Sequence, residues 1–231
     1  MKRIIAYGGG NVQLKTTLKI DETVAELAKQ HAGEKRAYGL YIGTASHDFM
    51  PAFNTFRKIF TSVFDIKADC VITEKAVMDE EKINAKFDKA DFIYVGGGDT
   101  VYMLNRWKET GILSKIISAY ERGVTIVGRS AGAICWFSDM YTDSYILRGE
   151  TNQYSFEKGL NILNGLACPH YNLRVNDFDE AFKNSNFNTA YAIEDDSALV
   201  FENGVLVKSL SSGGKSYILT KNNGEIIKKT I

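Results

Sequence analysis

The sequence lacks an excess of charge of either sign. Lysine and arginine together number 28, aspartate and glutamate also number 28, and no basic block stands out. Binding to nucleic acid or to an anionic membrane depends largely on clustered positive charge. We therefore expect neither nucleic acid nor a membrane as a partner.

Cysteines are few and long apolar runs are missing. Cys70, Cys135 and Cys168 are an odd number without a C-x-x-C spacing, which indicates free buried thiols in a reducing compartment. The five apolar residues before Gly8 are too few for a signal-peptide core, and no apolar run approaches the length of a membrane span. These features predict a cytoplasmic protein.

The common cofactor and metal motifs are also missing. The sequence contains no H-E-x-x-H and no G-K-[ST], and neither glycine cluster (8–10 and 96–98) completes G-x-G-x-x-G. A phosphate cradle is therefore a weak interpretation of either cluster. We expect no metal and no organic cofactor.

The first half of the chain alternates short apolar runs with amphipathic segments, which predicts an α/β fold. We expect a three-layer sandwich with a mainly parallel central sheet and helices on both faces. The predicted strands are 4–7, 37–42, 66–72, 92–95 and 125–127. The predicted helices are one between an Asp21 N-cap and Gly33, one opened by Pro51 with an apolar stripe ending at Val63, and 79–87, 100–108 and 114–122.

The second half of the chain is less regular. Residues 138–165 show little periodicity and predict surface loops and short strands. Asn203-Gly204 and Asn223-Gly224 each lie between strand-like runs, which predicts two antiparallel hairpins that extend the same sheet. Without a linker, a repeat or a low-complexity tract, residues 1–231 are expected to form a single domain.

A nucleophile elbow is predicted at Ser130, in TIVGRSAGAICWF. Glycines at 128 and 132 permit the strained strand-to-helix turn that exposes such a serine at the carboxyl end of a strand. The amide of Ala131 would donate to an oxyanion. A tight turn with an incidental serine is the plainer alternative.

Only three histidines could activate this serine. His31 falls in the last turn of a predicted helix, where a structural role is expected. His47 follows the second strand, at the same sheet edge as Ser130, and stays open as a candidate. His170 ends the strand-like run LACPH and is the predicted base.

The third member of a triad orients the imidazole and stabilises its cation. The carboxylates between serine and histidine are Asp139, Asp143, Glu150 and Glu157. We choose Asp143, in the polar run TDS, and place Glu150 second, although the spacing does not decide between them.

The run GGGDT at 96–100 closes the fourth predicted strand. Its glycines let a backbone approach a ligand closely, so the amide of Gly97 or Gly98 could be the second oxyanion donor. For Gly8, Gly9 and Gly10 we expect a packing role only.

Three motifs together resemble the peptidase E family of aspartyl dipeptidases, which includes cyanophycinase: GGGDTVYML at 96–104, GRSAGAICW at 128–136 and CPHY at 168–171. A GxSAGA run after GGG-[ND]-T separates this family from ordinary esterases. The resemblance implies a fold similar to class I glutamine amidotransferases and a triad in the order serine, acid, histidine. It also implies Ser130 as nucleophile, His170 as base, and Gly98 with Ala131 as oxyanion donors.

Two positions depart from the family pattern. Asp99, which we expect among the substrate-binding residues, stands where many relatives carry asparagine and would place a negative charge beside the site. Arg174 is the only arginine in the segment after His170, where the family has an E-T-R run, and it is the nearest candidate for a substrate carboxylate. Arg129, beside the nucleophile, is an alternative.

The sequence thus predicts a serine-type dipeptidase that acts on small peptides, with N-terminal aspartate as the preferred residue, through an acyl-enzyme. A β-aspartyl peptide hydrolase of the cyanophycinase type and a non-catalytic ligand-binding relative are the alternatives. The protein is expected to be a monomer or a homodimer.

Overall fold

The computed structural model describes residues 1–74, 79–222 and 224–231. The strands of the first sheet, in chain order, are β1 (Arg3–Tyr7), β2 (Tyr38–Ile42), β3 (Lys67–Val71), β4 (Phe92–Val95), β5 (Thr125–Arg129), β10 (Ser197–Glu202) and β11 (Val205–Ser211). Those of the second sheet are β6 (Phe137–Thr142), β7 (Ser155–Lys158), β8 (Leu163–Cys168), β9 (Thr189–Ile193), β12 (Ser216–Asn222) and β13 (Glu225–Thr230).

The α-helices are α1 (Leu18–Ala32), α2 (Met50–Ser62), α3 (Glu80–Lys89), α4 (Thr100–Thr110), α5 (Ile112–Glu121), α6 (Ala131–Ile134), α7 (Ser144–Leu147) and α8 (Tyr171–Asn184), and a short 3-10 helix spans Thr44–Ser46. None of the helices in the described residues combines the length and the apolarity that crossing a bilayer requires.

The first sheet has the strand order β11-β10-β1-β5-β4-β2-β3. Strands β1, β5, β4, β2 and β3 run parallel, and β10 and β11 add an antiparallel edge. The second sheet has the order β13-β12-β9-β8-β6-β7, with β9, β8 and β6 parallel at its centre. The parallel strands and their connecting helices confirm the predicted α/β class.

Helices cover both faces of the first sheet because successive side chains of a strand point to opposite faces. On β1, Ile5 and Tyr7 pack in the cluster that contains the buried faces of α1 and α2. Ile4 and Ala6 pack in the other cluster, with the buried residues of α3, α4 and α5. Residues of a central parallel strand are thus buried on both sides, as the apolar run at 4–7 predicts.

The prediction of one continuous sheet was wrong, because the chain leaves the first sheet at the elbow and starts a second one. Phe137 of β6 packs edge-on against Phe201 of the first sheet, with 5.4 Å between ring centroids. Tyr191 of β9 contacts both rings, at 5.6 and 5.5 Å. Residues 138–165 contain most of β6, all of β7, the start of β8, the short helix α7 and partly exposed loops, which confirms the predicted surface loops and short strands.

The predicted hairpins are present, but they belong to different sheets. The β10–β11 hairpin extends the first sheet across Asn203-Gly204, whereas the β12–β13 hairpin extends the second. Asn223, in the second predicted turn, lies outside the described residues. Val63 also differs from its prediction as the end of the apolar stripe, since it follows the last residue of α2 and 45% of its surface is exposed.

Asp21 is not the N-cap of α1, because the helix already begins at Leu18. Asp21 lies within the first turn of the helix, and its side chain is buried. The carboxyl group accepts hydrogen bonds from the hydroxyls of Tyr7 (3.1 Å) and Thr17 (2.9 Å). Burial raises the pKa of Asp21 from its ordinary value of 3.8 to about 6, despite these bonds and the nearby Arg129 guanidinium.

This raised pKa predicts a pH-dependent stability. The folded protein binds the Asp21 proton more tightly than the unfolded chain does, so this contribution is complete below pH 3.8 and is lost as the pH rises through about 6. We expect Asp21→Asn to gain about 2 kcal/mol relative to wild type between pH 4 and pH 7.5. Urea unfolding at both pH values measures this change. Asp65→Asn, at an exposed carboxylate, is the control, and an equal pH dependence of Asp21→Asn and wild type would refute the prediction.

Candidate active site

Ser130 lies on a sharp turn between β5 and α6. Its backbone φ is 54°, an unusual value for a residue with a side chain, and its N–H donates to the Tyr7 carbonyl over 3.0 Å. A Cβ at Gly128 would lie 1.8 Å from the Gly132 oxygen, and one at Gly132 would lie 2.4 Å from the Val95 oxygen. The two glycines of the motif are therefore required for the turn to close.

The side chain of Ser130 begins a chain of hydrogen bonds through His170 to a carboxylate. Ser130 Oγ lies 2.8 Å from His170 Nε2, and His170 Nδ1 lies 2.7 Å from Asp195 Oδ1. Ser130 and His170 are thus brought together as the sequence predicts. The carboxylate at the far side of the imidazole is Asp195, which lies beyond the stretch between serine and histidine where the acid was predicted.

Strand pairing explains why His170 and Asp195 meet. Strands β8 and β9 are parallel neighbours, and Cys168 pairs with Ala192 in their register. His170 and Asp195 each lie two residues beyond the end of its strand, at the same edge of the second sheet. The backbone N–H of His170 also donates to the carbonyl of Gly8, which follows β1. This hydrogen bond joins the edge of the second sheet to the edge of the first sheet.

Three donors hold the Asp195 carboxylate in place. Besides His170, Asn172 Nδ2 donates to Asp195 Oδ2 over 3.2 Å, and the Gly10 N–H donates to the carboxylate. The Asp195 N–H donates in return to Asn172 Oδ1 over 2.9 Å. The hydrogen bond with His170, helped by the other two donors, keeps the pKa of Asp195 below its ordinary value despite partial burial. The group is therefore ionised at neutral pH.

Asp143, the predicted acid, does not contact His170. It precedes α7 and accepts a hydrogen bond from Arg174 Nη2 over 2.7 Å. Arg174 is 4% exposed and its guanidinium also stacks on Tyr154, 4.6 Å from the ring centroid. The structure therefore pairs two residues for which the sequence predicts separate roles, as triad acid and as substrate ligand.

The other candidate acids and histidines also have partners away from Ser130. Asp139 pairs with Lys158 at 2.5 Å, Glu150 lies 3.6 Å from Arg148, and Glu157 interacts with Tyr145. His31 contacts Asp91 at 2.8 Å near the end of α1, and the His47 ring packs at a tilt against Tyr102. His170 alone of the three histidines lies at the serine.

The glycine run after β4 lies beside the elbow. A Cβ at Gly97 would be 3.2 Å from Ser130 Cβ and 3.8 Å from Ser130 Oγ. Gly98 has a φ of +138°, and a Cβ there would be 2.1 Å from the Ala45 oxygen. Ala131 follows the serine as the first residue of α6. Gly97 thus allows the backbone to approach Ser130 closely, and Gly98 allows it to pack against Ala45.

Asp99 does not present a free charge to the site. Arg148 binds it through Nε (2.5 Å to Oδ2) and Nη2 (3.1 Å to Oδ1), and the Tyr102 N–H donates to Oδ1 at the start of α4. Burial alone would raise the pKa of Asp99, but these hydrogen bonds outweigh it and keep the pKa below its ordinary value. The ion pair with Arg148 offsets the negative charge that the sequence places here.

The first glycine cluster supports the histidine and the acid directly. A Cβ at Gly9 would lie 1.9 Å from Asp195 Oδ1 and 2.4 Å from His170 Nδ1. A Cβ at Gly8 would lie 2.3 Å from the Ile193 and Glu194 oxygens. The packing role expected for this cluster therefore includes packing against His170 and Asp195.

None of the three cysteines supplies a thiolate to this site at neutral pH. All three cysteines are free, and burial raises the pKa of the Cys135 and Cys168 thiols, which stay protonated at neutral pH. Cys70 is only partly buried. No group of three or more His, Cys, Asp or Glu side chains in the described residues is arranged to hold a metal ion.

Comparisons with known proteins identify the family and the fold of the chain. A family model described as "Peptidase family S51" matches residues 4–208. The "Uncharacterized peptidase YgaJ" of Bacillus subtilis (strain 168) is 31% identical over 234 residues, covering 98% of this chain and 95% of that protein. A crystal structure of a peptidase from an acI-B1 Actinobacterium has a TM-score of 0.69 at 17% identity and covers 99% of this chain and 97% of its own. A putative peptidase E protein from Listeria monocytogenes EGD-e has a TM-score of 0.60 at 19% identity, covering 100% and 99%. At these identities the two structures support the fold alone.

Proposed function

The chain belongs to peptidase family S51, and we propose that it is a serine-type dipeptidase that hydrolyses small peptides, with N-terminal aspartate preferred. The observation that carries this proposal is the continuous chain from Ser130 Oγ through His170 to Asp195, with contacts of 2.8 and 2.7 Å. Nucleophile, base and orienting acid stand in the order that acyl transfer requires.

In the proposed reaction, Ser130 Oγ attacks the carbonyl carbon of the peptide bond while His170 Nε2 takes the hydroxyl proton. Asp195 accepts a hydrogen bond from Nδ1–H, which keeps Nε2 free to act as the base and stabilises the imidazolium that forms. His170 then donates the proton to the leaving amine. Water, deprotonated by the same imidazole, releases the acyl group from Ser130.

The oxyanion of the tetrahedral intermediate needs hydrogen-bond donors that point at the former carbonyl oxygen. We assign this role to the amides of Gly98 and Ala131, supported by the glycine run that lies against Ser130 and by the position of Ala131 directly after the nucleophile. Backbone amides fixed by tight packing need little reorganisation when the charge develops.

We also propose that the protein is cytoplasmic. The three free cysteines support this location, because thiols stay reduced in the cytoplasm.

The test combines turnover with covalent labelling of the wild-type protein. Asp-Leu, Glu-Leu, Gly-Leu and β-Asp-Leu are offered as substrates, and a fluorophosphonate is mapped by mass spectrometry. We expect Asp-Leu to be the best substrate and Ser130 to carry the label. Turnover of β-Asp-Leu alone would replace the dipeptidase by a β-aspartyl peptide hydrolase. Absence of both turnover and label from the folded protein would refute a serine peptidase.

A further inference from the structure

A cavity of about 300 Å³ lies on the α1 and α2 side of the first sheet, beside the residue that precedes the nucleophile. We call it the Arg129 cavity. It is lined by Gly10, Asp21, Tyr41, Phe56, Tyr94 and Arg129, among others. This volume is at the small end of the range for ligand pockets, and its mixture of aromatic walls with a few polar groups is typical of them.

The Arg129 guanidinium brings a positive charge to this cavity. Its Nη1 donates to the Gly10 carbonyl over 3.0 Å, and the side chain forms no ion pair with any carboxylate in the described parts of the chain. Asp21 also lines the cavity, but its oxygens already accept hydrogen bonds from Tyr7 and Thr17. Asp21 interacts electrostatically with Arg129 but forms no ion pair with it, so the guanidinium keeps donors for a ligand carboxylate.

Tyr94 supplies a second, independent sign of a ligand. Its hydroxyl is buried and has no hydrogen-bond partner among the described residues, and the whole residue is 3% exposed. The ring packs against Tyr41 and Phe56, with centroid distances of 6.0 and 5.2 Å. A buried hydroxyl without a partner is unfavourable, so an oxygen of a bound molecule would satisfy it.

We propose that the Arg129 cavity is the specificity site of the peptidase and binds a carboxylate of the substrate through Arg129 and the Tyr94 hydroxyl. The inference rests on the proposed function, because it takes Ser130, which follows the lining residue Arg129 in the chain, as the nucleophile. The carboxylate has two possible sources, the side chain of the residue that forms the acyl group or the C-terminus of the leaving residue. Both sources require the same recognition by Arg129.

Calorimetric binding to the Ser130→Ala variant tests the proposal without turnover. Asp-Leu, Asn-Leu and Asp-Leu-amide are the probes, Arg129→Met is the added substitution, and Arg36→Met, at an exposed arginine paired with Asp65, is the control. We expect Asp-Leu to bind about 10- to 100-fold more tightly than the probe that lacks the recognised carboxylate. In the Arg129→Met variant the two affinities should become equal.

The two neutral probes distinguish the sources. If Arg129→Met removes the preference for Asp-Leu over Asn-Leu, the recognised group is the side-chain carboxylate on the acyl side. If it removes the preference for Asp-Leu over Asp-Leu-amide, the recognised group is the C-terminus. The proposal is overturned when Arg129→Met changes neither ratio, or when it weakens all three probes equally, as a purely structural arginine would. Because the readout is binding, failure here is distinct from failure of Ser130 to be labelled.

Tyr94→Phe separates recognition from folding. The ring and its packing stay, and only the hydroxyl without a partner is removed, so the melting temperature should be unchanged or slightly higher. Binding of Asp-Leu should weaken by about 3- to 10-fold, in the Ser130→Ala background, since one hydrogen bond to the carboxylate is removed. Unchanged Asp-Leu binding would remove Tyr94 from the site and overturn this part of the proposal.

Discussion

Replacing Ser130 by alanine is expected to lower kcat for Asp-Leu by about 10⁴- to 10⁶-fold. The substitution removes the atom that attacks the carbonyl and leaves His170 and Asp195 with nothing to activate. It also removes the 2.8 Å hydrogen bond between Ser130 Oγ and His170 Nε2, which lies at a partly exposed site. We therefore expect the free energy of unfolding to change by no more than about 1 kcal/mol.

The measurement pairs steady-state kinetics with urea unfolding. Ser118→Ala is the matched control, because Ser118 is an exposed serine on α5 whose hydroxyl bonds only to Arg122 in the described residues. It should keep wild-type turnover and stability. A Ser130→Ala variant that retains more than a few per cent of wild-type turnover would show that another group is the nucleophile.

Replacing Asp195 by asparagine is expected to lower kcat by about 10⁴-fold. Asn172 Nδ2 donates to the Oδ2 position and would keep the amide oxygen of the new side chain there. The amide nitrogen would then occupy the Oδ1 position, 2.7 Å from His170 Nδ1, and donate to it. This arrangement places the ring proton of His170 on Nε2, and the protonated Nε2 cannot accept the proton of Ser130.

Asp143→Asn is the matched comparison and should show the opposite pattern. It weakens the ion pair to the buried Arg174 guanidinium, so the free energy of unfolding should fall by about 1–2 kcal/mol, discounted because Asp143 is partly exposed. Turnover of Asp-Leu should stay within about threefold of wild type, since Asp143 does not contact His170. Kinetics and urea unfolding on both variants decide the case. A large loss of turnover in Asp143→Asn with Asp195→Asn active would restore Asp143 as the acid.

Much of the fold could be predicted because local patterns encode it. The apolar runs at 4–7 and 92–95 are buried on both faces, as their composition requires in a parallel sheet. The division into two sheets could not be predicted in the same way. Strand β6, FSDMYT, mixes buried and half-buried residues, so its sequence pattern is weak. Its pairing with β7 and β8 depends on tertiary packing and not on local sequence.

The prediction that Asp143 lies beside His170 was wrong, because the structure places Asp195 there, and the reason is physical. The prediction considered only carboxylates between Ser130 and His170, whereas Asp195 stands in IEDDS directly after the strand 189–193. A carboxylate at the end of a strand was a usable signal. What the sequence did not contain is that β9 lies next to β8, which brings the two strand ends together.

By itself the sequence determined the elbow at Ser130, the identity of its histidine neighbour and the resemblance to the peptidase E family, which the family model confirms. These features depend on residues close together in the chain, where steric demands on glycine and serine leave few alternatives. Only the tertiary structure decided that Asp195 faces His170, that Asp143 pairs with Arg174, and that Asp99 pairs with Arg148. Such pairings join residues far apart in sequence, and they are selected by which strand ends and loops the two sheets bring together.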